Sequence, residues 1–277
     1  MQSQALSLEA PAGAVEGVLT YLAPTERRPF TYNYSPPPAG QPQRFAPEHP
    51  VRARILDARP LAAELSLDRQ GFRLLRHATD VDLYDDAAIE RDYYPQMERL
   101  VAAATGASRV TVFDHPLRRA GGRKPAGTRV REPVPRVHND YTLKSAPQRV
   151  RDLLPDEADA LLQRRYAFVN VWRPLKAPLL HMPLALCDAR SLEPGDAVTS
   201  DLIYRDRVGE TYLFHHKARH RWFYFPAMAT DEVVLIKCFD SDGERARWSA
   251  HTAFEDPGTP ADAPPRASIE IRTIAFF

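Results

Sequence analysis

Cysteine, net charge and long apolar runs are all scarce in this 277-residue sequence. Its two cysteines, Cys187 and Cys238, are too few for a disulfide framework and too far apart for a zinc knuckle, so we expect both to be reduced core residues. The 37 basic and 36 acidic side chains nearly cancel, which argues against a basic field that would attract nucleic acid or anionic lipid. A small molecule is therefore the expected partner.

Targeting and membrane-spanning patterns are missing as well. The N-terminal stretch has neither a basic region nor a continuous apolar segment, and no run of about 18 apolar residues occurs without charge. The G-x-G-x-x-G, P-loop and G-x-S-x-G patterns are also absent, so a dehydrogenase, a kinase or an α/β-hydrolase is not expected. We predict a cytoplasmic protein that binds neither nucleic acid nor a membrane.

Proline is abundant: 26 prolines against 12 glycines divide the chain into short elements and favour strands over long helices. Residues 1–50 include Pro36-Pro37-Pro38 and three later prolines, which predicts an extended arm with few regular elements. We expect residues 1–108 to form an N-terminal arm and supporting helices, packed on a core made by residues 109–277.

Two helices are predicted. Apolar residues from Ala87 to Ala104 recur at three- and four-residue steps, the period of an amphipathic helix, and Gly106 ends it. A second helix is expected over Pro155–Arg165, with proline near its first turn and arginines at its end.

About ten short strands follow at hairpin spacing. They are predicted at Arg109–Phe113, Thr128–Thr142, Ala167–Arg173, Leu179–Cys187, Thr199–Tyr204, Thr211–His215, Trp222–Phe225, Val233–Phe239, His251–Phe254 and Ala267–Phe276. This arrangement predicts a mainly β protein with flanking helices, folded as a double-stranded β-helix, that is, a cupin-like jelly roll.

A metal site is predicted from three side chains. His138 and Asp140 lie two residues apart in a strand-like stretch, so their side chains point to the same face. Such a pair is expected about once by chance among nine histidines, and the third ligand, His251, is what gives it meaning. Two histidines and one carboxylate on one face of iron(II) leave three coordination positions open. A 2-oxo acid and dioxygen together need three.

An anchor for the distal carboxylate of 2-oxoglutarate is predicted on the last strand. Arg266 offers two parallel charge-assisted hydrogen bonds, and Ser268 projects from the same strand face. Arg272 is the reserve anchor. A solvated face is the other interpretation, because Glu270 and Arg272 continue the polar alternation.

Several motifs accompany these residues, at Val112–His115, His138–Asp140, Val169–Leu175, Pro183–Asp188, Trp222–Pro226, Phe239–Ser241, His251–Phe254 and Pro265–Arg272. Together they resemble the AsaB-like hydroxylase/desaturase family, also called the CmcJ/NvfI family, over roughly residues 110–277. The resemblance implies an Fe(II) enzyme with 2-oxoglutarate and O2 as co-substrates, which hydroxylates, desaturates or oxidatively cyclises a small natural product in secondary metabolism. The family's tail usually has an acid where Ala267 stands. A homodimer or a partner biosynthetic enzyme is compatible with the resemblance.

Further candidates lie on the strand that is expected to cross the pocket. Asn170 and Trp172 should face one side and Arg173 the other. For Asn170, a contact with a metal ligand or the oxo acid competes with a structural hydrogen bond. Trp172 is a core residue or a substrate wall. Arg173 pins a loop or binds a substrate carboxylate.

Two basic or histidine-rich stretches are interpreted as loops. The run from Arg118 to Lys124 is predicted to be a mobile loop, with a lid that gathers an anionic substrate as the alternative. His215, His216 and His220 flank an apparent hairpin turn and are predicted to be solvated there, so they are not expected to bind a second metal.

Two other functions compete with the oxygenase hypothesis. One is a catalytically silent jelly-roll subunit that binds a metabolite or a partner enzyme. The other is a cupin-like zinc hydrolase, since two histidines and an aspartate also bind zinc. The zinc hypothesis leaves Arg266 and Ser268 without a role.

Overall fold

The computed structural model describes residues 13–121 and 130–277, which form two β-sheets and four short α-helices. The strands are β1 (Ala14–Leu22), β2 (Phe30–Tyr32), β3 (Arg44–Phe45), β4 (Glu48–Asp57), β5 (Phe72–Arg76), β6 (Arg109–Asp114), β7 (Leu117–Arg119), β8 (His138–Asn139), β9 (Tyr166–Pro174), β10 (Leu184–Cys187), β11 (Ala197–Ile203), β12 (Val208–Phe214), β13 (Trp222–Tyr224), β14 (Glu232–Asp240), β15 (His251–Ala253) and β16 (Ala267–Phe276). The helices are α1 (Asp86–Ala88), α2 (Tyr94–Thr105), α3 (Ser145–Leu153) and α4 (Ala158–Leu161), with a π-helical turn at Ile89–Tyr93 and 3-10 turns at Arg59–Leu61, Ala189–Ser191 and Pro194–Asp196.

The larger sheet has ten strands in the order β1-β4-β13-β10-β15-β8-β12-β11-β2-β3. The smaller sheet has the order β5-β14-β9-β16-β6, and β7 pairs with the first part of β16. The core between the sheets is rich in aromatic residues, among them Phe168, Trp172 and Phe223. The predicted mainly β jelly roll with flanking helices is confirmed.

β9 lies at the centre of the smaller sheet, and all nine of its residues are buried. Phe168 and Trp172 face the core between the sheets, whereas Val169 and Val171 face the opposite side. The α2 helix covers this second side, where Met97 and Val101 pack against the valines. A strand covered on both faces is usually apolar along its whole length. The buried polar residues Asn170 and Arg173 are therefore unusual in β9.

The predicted helix from Ala87 to Ala104 is confirmed, because α1, the π-helical turn and α2 run on continuously to Thr105. Gly106 ends it with a left-handed φ of 75°, and its N–H bonds to the carbonyl of Ala102, as in an αL cap. None of the helices in the described residues is long and apolar enough to span a membrane.

Other elements differ from the predictions. The helix expected over Pro155–Arg165 is reduced to α4, and an unexpected helix, α3, precedes it. The strand expected over Thr128–Thr142 begins outside the described residues, and within them only β8 is a strand. That segment contains two prolines, Pro133 and Pro135, and proline cannot donate a hydrogen bond to a neighbouring strand.

The expectation of few regular elements before residue 50 is wrong. β1 and β4 are nine and ten residues long and pair along their whole length. β4 also pairs in parallel with β13, and β2 pairs in parallel with β11. The N-terminal region therefore contributes strands to the larger sheet and does not merely lie upon it.

Candidate active site

Two histidines face each other on neighbouring strands of the larger sheet. The pairing of β8 with β15 places His138 opposite His251, with 4.4 Å between the ring centroids. Directly opposed residues of antiparallel strands have adjacent side chains. This pairing joins two residues that lie far apart in the sequence.

Backbone carbonyls orient the two imidazole rings. Nδ1 of His138 lies 2.7 Å from the carbonyl oxygen of Arg136, and Nδ1 of His251 lies 3.1 Å from that of Ser249. Because a carbonyl only accepts, we assign the proton to each Nδ1, which leaves a lone pair on each Nε2. Burial, and next the nearby His251, lowers the pKa of His138 to about 3. Its ring is therefore neutral at neutral pH.

Asp140 completes the group just after β8. Its Oδ1 lies 3.8 Å from Nε2 of His138, and the three potential ligand atoms all lie within 4.8 Å of one another. Nδ2 of Asn170 donates to Oδ2 of Asp140 at 2.8 Å, and Nη2 of Arg272 lies 3.6 Å from the same oxygen. Burial alone would raise the pKa of Asp140, but Arg272 and the two histidines hold it well below its usual value. The carboxylate is ionised and oriented.

These residues fit a divalent iron ion. Two neutral imidazoles and one carboxylate are the ligand types of the facial triad of non-haem iron(II) oxygenases. The hydrogen bonds behind each ligand supply the orientation that such sites need. The chemistry of the donor set thus agrees with the predicted metal site.

A buried arginine lies near the triad. Arg266 is 3% exposed, and its hydrogen bonds go to neutral oxygens: the carbonyl of Met182 at 2.8 Å and Oγ of Ser268 at 3.3 Å. Burial, and next the charge of Arg118, lowers the pKa of Arg266 to about 9. No carboxylate of the described residues lies within ion-pair distance of its guanidinium. A buried cation without an acidic partner is stabilised by binding an anion.

A narrow pocket extends from this arginine to the two histidines. It is lined by Arg118, Val134, His138, Trp172, Leu184, His251, Thr252, Ala253, Arg266 and Glu270. The guanidinium of Arg266 stacks over the ring of Trp172 at 4.9 Å, and the indole N–H of Trp172 is buried without a hydrogen-bond partner. The free volume is only about 20 Å³, near that of one water, so a five-carbon diacid has to displace lining side chains.

Arg272, the reserve anchor, is surrounded by carboxylates instead. Besides Asp140, it contacts Glu270 at 3.1 Å and Asp114 at 3.3 Å. The register of β16 against β9 places it opposite Asn170. Its position supports a metal ligand and favours Arg266 as the anion-binding residue.

Comparisons with known proteins agree with this geometry. Residues 19–276 match the family described as "Oxidoreductase/YMDC permease-like domain". The chain is 34% identical to the Fe(II)/2-oxoglutarate-dependent dioxygenase nvfI of Aspergillus novofumigatus over 253 residues, which cover 88% of this chain and 90% of that protein. It is 32% identical to the hydroxylase/desaturase efuI of Hormonema carpetanum, over 80% of this chain and 82% of the relative.

The chain belongs to this family of Fe(II)/2-oxoglutarate-dependent dioxygenases. A solved structure of the iron and alpha-ketoglutarate-dependent endoperoxidase NvfI matches with a TM-score of 0.86 at 30% identity, over 95% of this chain and 98% of that one. The resemblance noted in the sequence is thereby confirmed, as are the cofactor iron(II) and the co-substrates 2-oxoglutarate and O2.

The dioxygenase has a second, larger cavity of about 780 Å³, which opens beside Asp140 and Arg272. We call it the substrate cavity. The α3 helix, the β11–β12 hairpin and the end of β6 supply most of its walls. Its size suits a natural product, and it reaches a metal ligand. Neither this cavity nor α3 was predicted from the sequence, although Ala146 and Val150 lie four residues apart on the buried face of that helix.

All three candidate substrate residues, Trp172, Arg173 and Arg118, lie outside the lining of this cavity, and Trp172 lines the narrow pocket instead. Arg173 points to the other side of β9, where it donates to the hydroxyl of Tyr93 at 3.0 Å and to the carbonyls of His77 and Thr230. These contacts favour the loop-pinning role. Arg118 lies in β7 and lines the narrow pocket. Residues 122–129, which include the end of the predicted basic loop, lie outside the described residues.

The histidines near the β12–β13 connection do not form a solvated turn, which corrects the prediction. The side chain of His220 is 1% exposed and lies between the hydroxyl of Tyr21 at 3.0 Å and Asp196 at 3.1 Å. His215 and His216 are half-buried. Among the described residues, the one group arranged to hold a metal ion remains His138, Asp140 and His251.

Proposed function

We propose that this dioxygenase hydroxylates, desaturates or oxidatively cyclises a small natural product. In this proposal His138, Asp140 and His251 hold iron(II), and Arg266 with Ser268 binds the distal carboxylate of 2-oxoglutarate. Bound iron(II) would supply the position at which the oxo acid and oxygen react. The protein's own residues orient the ligands, bind the two organic molecules and separate their sites.

The observation that carries the proposal is the combination of two features that line one narrow pocket between the two sheets. One is a triad whose two Nε2 atoms and carboxylate converge. The other is Arg266, a buried cation without an acidic partner, reached through one narrow pocket. A silent binding subunit would gain nothing from keeping a buried, unpaired charge beside three oriented ligands, since such a charge is costly.

The second cavity supports a position for the substrate. Asp140 and Arg272 line this substrate cavity, whereas His138, His251 and Arg266 line the narrow pocket. A relative in sequence is named as a hydroxylase/desaturase, and a protein of the same fold is named as an endoperoxidase. Support for a secondary-metabolite substrate therefore comes from these relatives and from the size of the cavity.

A cytoplasmic location is part of the proposal. Cys187 and Cys238 are both free and buried, which is usual in a reducing compartment. A homodimer or a complex with a partner biosynthetic enzyme also belongs to the proposal, and light scattering of the purified chain alone and with candidate enzymes tests it.

The enzyme assay needs no knowledge of the substrate, because many such oxygenases slowly convert 2-oxoglutarate to succinate with an empty substrate site. Purified protein supplied with iron(II), ascorbate and oxygen should form succinate, and His251→Ala should abolish it. His215→Ala is a matched control, since that histidine bonds the carbonyl of Leu22 away from the triad. Succinate formation that is equal in the protein and in His251→Ala at all iron concentrations would contradict the proposal.

A further inference from the structure

The substrate cavity has charged walls, and their cations and anions are not matched. Six basic side chains and five acidic ones line it: Arg28, Arg131, Lys144, Arg149, Arg207 and Arg272 against Asp114, Asp140, Asp152, Asp201 and Glu210. Four of the five acids lie within ion-pair distance of a lining cation. The fifth, Asp152, accepts a hydrogen bond from Gln148 at 2.8 Å.

Three of the arginines have no carboxylate within ion-pair distance among the described residues. They are Arg131, Arg149 and Arg207. Among the described lining acids, only Asp152 lacks an ion pair, so the unpaired cations outnumber the unpaired acid by three to one, and the formal charge of the whole lining is +1. A cleft with an excess of charge of one sign attracts ligands of the opposite sign.

Two of these arginines are positioned by aromatic rings. The guanidinium of Arg149 lies 5.2 Å from the ring centroid of Phe113, and that of Arg207 lies 4.0 Å from the ring centroid of Tyr204. Stacking occupies the flat face of a guanidinium and leaves the N–H groups on its edges free. Edge N–H groups form the paired hydrogen bonds that planar carboxylates accept.

We propose that the natural substrate is a bulky organic anion whose carboxylate is bound by Arg149 and Arg207. The inference rests on the proposed function, because it takes the substrate cavity to be the place where the substrate binds. Phe113, Tyr141 and Leu202 provide an apolar wall of the same cavity, which suits the carbon skeleton of such a molecule. The anionic group lies at the α3 and β11–β12 walls, and the skeleton extends toward Asp140.

A pair of fluorescent probes that differ by one charge tests the proposal. 8-Anilinonaphthalene-1-sulfonate and neutral N-phenyl-1-naphthylamine share the same aromatic skeleton, and both are titrated into the purified full chain. The sulfonate should bind at least about tenfold tighter than the neutral amine, since charge-assisted hydrogen bonds are the stronger ones. Added salt should reduce this difference, because the two arginines are partly exposed to solvent.

Variants assign the selectivity to the two arginines. The double variant Arg149→Gln/Arg207→Gln should remove most of the preference for the sulfonate and leave the affinity for the neutral amine unchanged. Arg151→Gln is the matched control, because Arg151 is exposed on the same helix but lies outside the cavity-lining stripe of Ser145, Gln148, Arg149 and Asp152. Near-ultraviolet circular dichroism checks that each variant is folded, and Arg149→Lys/Arg207→Lys, which keeps the charge but loses the planar fork, should restore part of the preference.

Equal affinities of the unmodified chain for the two probes would overturn the proposal. A double variant that keeps the preference, or that loses affinity for both probes alike, would overturn it too. The titrations involve neither succinate formation nor 2-oxoglutarate. A failure of anion selectivity is therefore separate from a failure of the oxygenase assay.

Discussion

Arg266 is a buried cation whose hydrogen bonds end on neutral oxygens of Met182 and Ser268. If it binds 2-oxoglutarate, then Arg266→Ala should cost about 2–5 kcal/mol of co-substrate binding. The Michaelis constant for 2-oxoglutarate would rise by about tens-fold or more. Arg266→Lys should recover only part of this loss, because an ammonium cannot form the bidentate pair. Steady-state succinate assays at saturating iron measure the effect, and an unchanged constant in Arg266→Ala would assign the anchor elsewhere.

We propose that Asn170 acts on the metal through Asp140 and not on the oxo acid, because its amide donates to that carboxylate at 2.8 Å. Asn170→Ala should therefore weaken iron(II) binding by about 10–100-fold, the usual effect of removing a group that orients a ligand. Anaerobic calorimetric titration with iron(II) measures it. At saturating iron the Michaelis constant for 2-oxoglutarate should stay the same. The reverse pattern, normal iron affinity with a raised constant, would instead mean that Asn170 contacts the oxo acid.

The directions of single side chains could be predicted where the alternation along one strand determines them. Two-residue alternation correctly placed Trp172 and Arg173 on opposite faces of β9, and it placed His138 and Asp140 near each other. The position of His251 opposite His138 could not be derived from the sequence, because no local pattern reveals that β15 pairs with β8. The contact of Arg272 with Asp140 was missed for the same reason. That contact depends on the register of β16 against β9 and on the position of the residues that follow β8.

At the scale of elements, Arg59 and Glu232 join the segment after β4 to the start of β14. The guanidinium of Arg59 donates a hydrogen bond to each carboxylate oxygen of Glu232, at 2.8 and 2.9 Å, and Glu232 is 3% exposed. The hydrogen bonds from Arg59 lower the pKa of Glu232, against the effect of burial. A lowered folded-state pKa means stability that is complete above the unfolded pKa and is lost as pH falls below it.

Glu232→Gln should consequently lower the free energy of unfolding at pH 7 by about 1–3 kcal/mol, less than for a fully buried pair because Arg59 is one-third exposed. The difference from the unmodified chain should shrink as pH falls through about 4. Urea unfolding at pH 7 and pH 3.5 measures both values. Asp231→Asn is the control, because both side chains of the ion pair between Asp231 and Arg76 are exposed to solvent. A difference that does not depend on pH would contradict the ionic explanation.

Elements with a strong period were predictable, whereas some elements with prolines in or beside them were not. The long helix before Gly106 was found because its apolar residues repeat regularly. β4 was missed because Pro47 and Pro50 suggested an extended arm, although Val51, Ala53 and Ile55 alternate with arginines as in a half-buried strand. Proline at the beginning of a strand is compatible with pairing further along the strand. The number of prolines in this region therefore gave the wrong prediction.

At the scale of the whole molecule, the N-terminal strands are part of the sheets that carry the site. β4 pairs with β13, β2 with β11, and β5 with β14. The α2 helix covers the outer face of the smaller sheet. The predicted division at residue 108 would therefore cut through both sheets and remove the cover of one of them.

A chain limited to residues 109–277 should fail to fold cooperatively. Its β11, β13 and β14 would each lose a pairing partner, which exposes unpaired backbone groups, and the valines of β9 would lose the α2 helix. We expect no sigmoidal thermal transition in circular dichroism and no iron(II) binding by calorimetry, whereas small cooperative domains show a single transition. A chain of residues 13–277 is the control, because it keeps all of these pairings, and it should unfold in one transition and bind iron. If the 109–277 chain melted cooperatively and bound iron, residues 1–108 would be an accessory arm on an independent core, as the sequence first suggested.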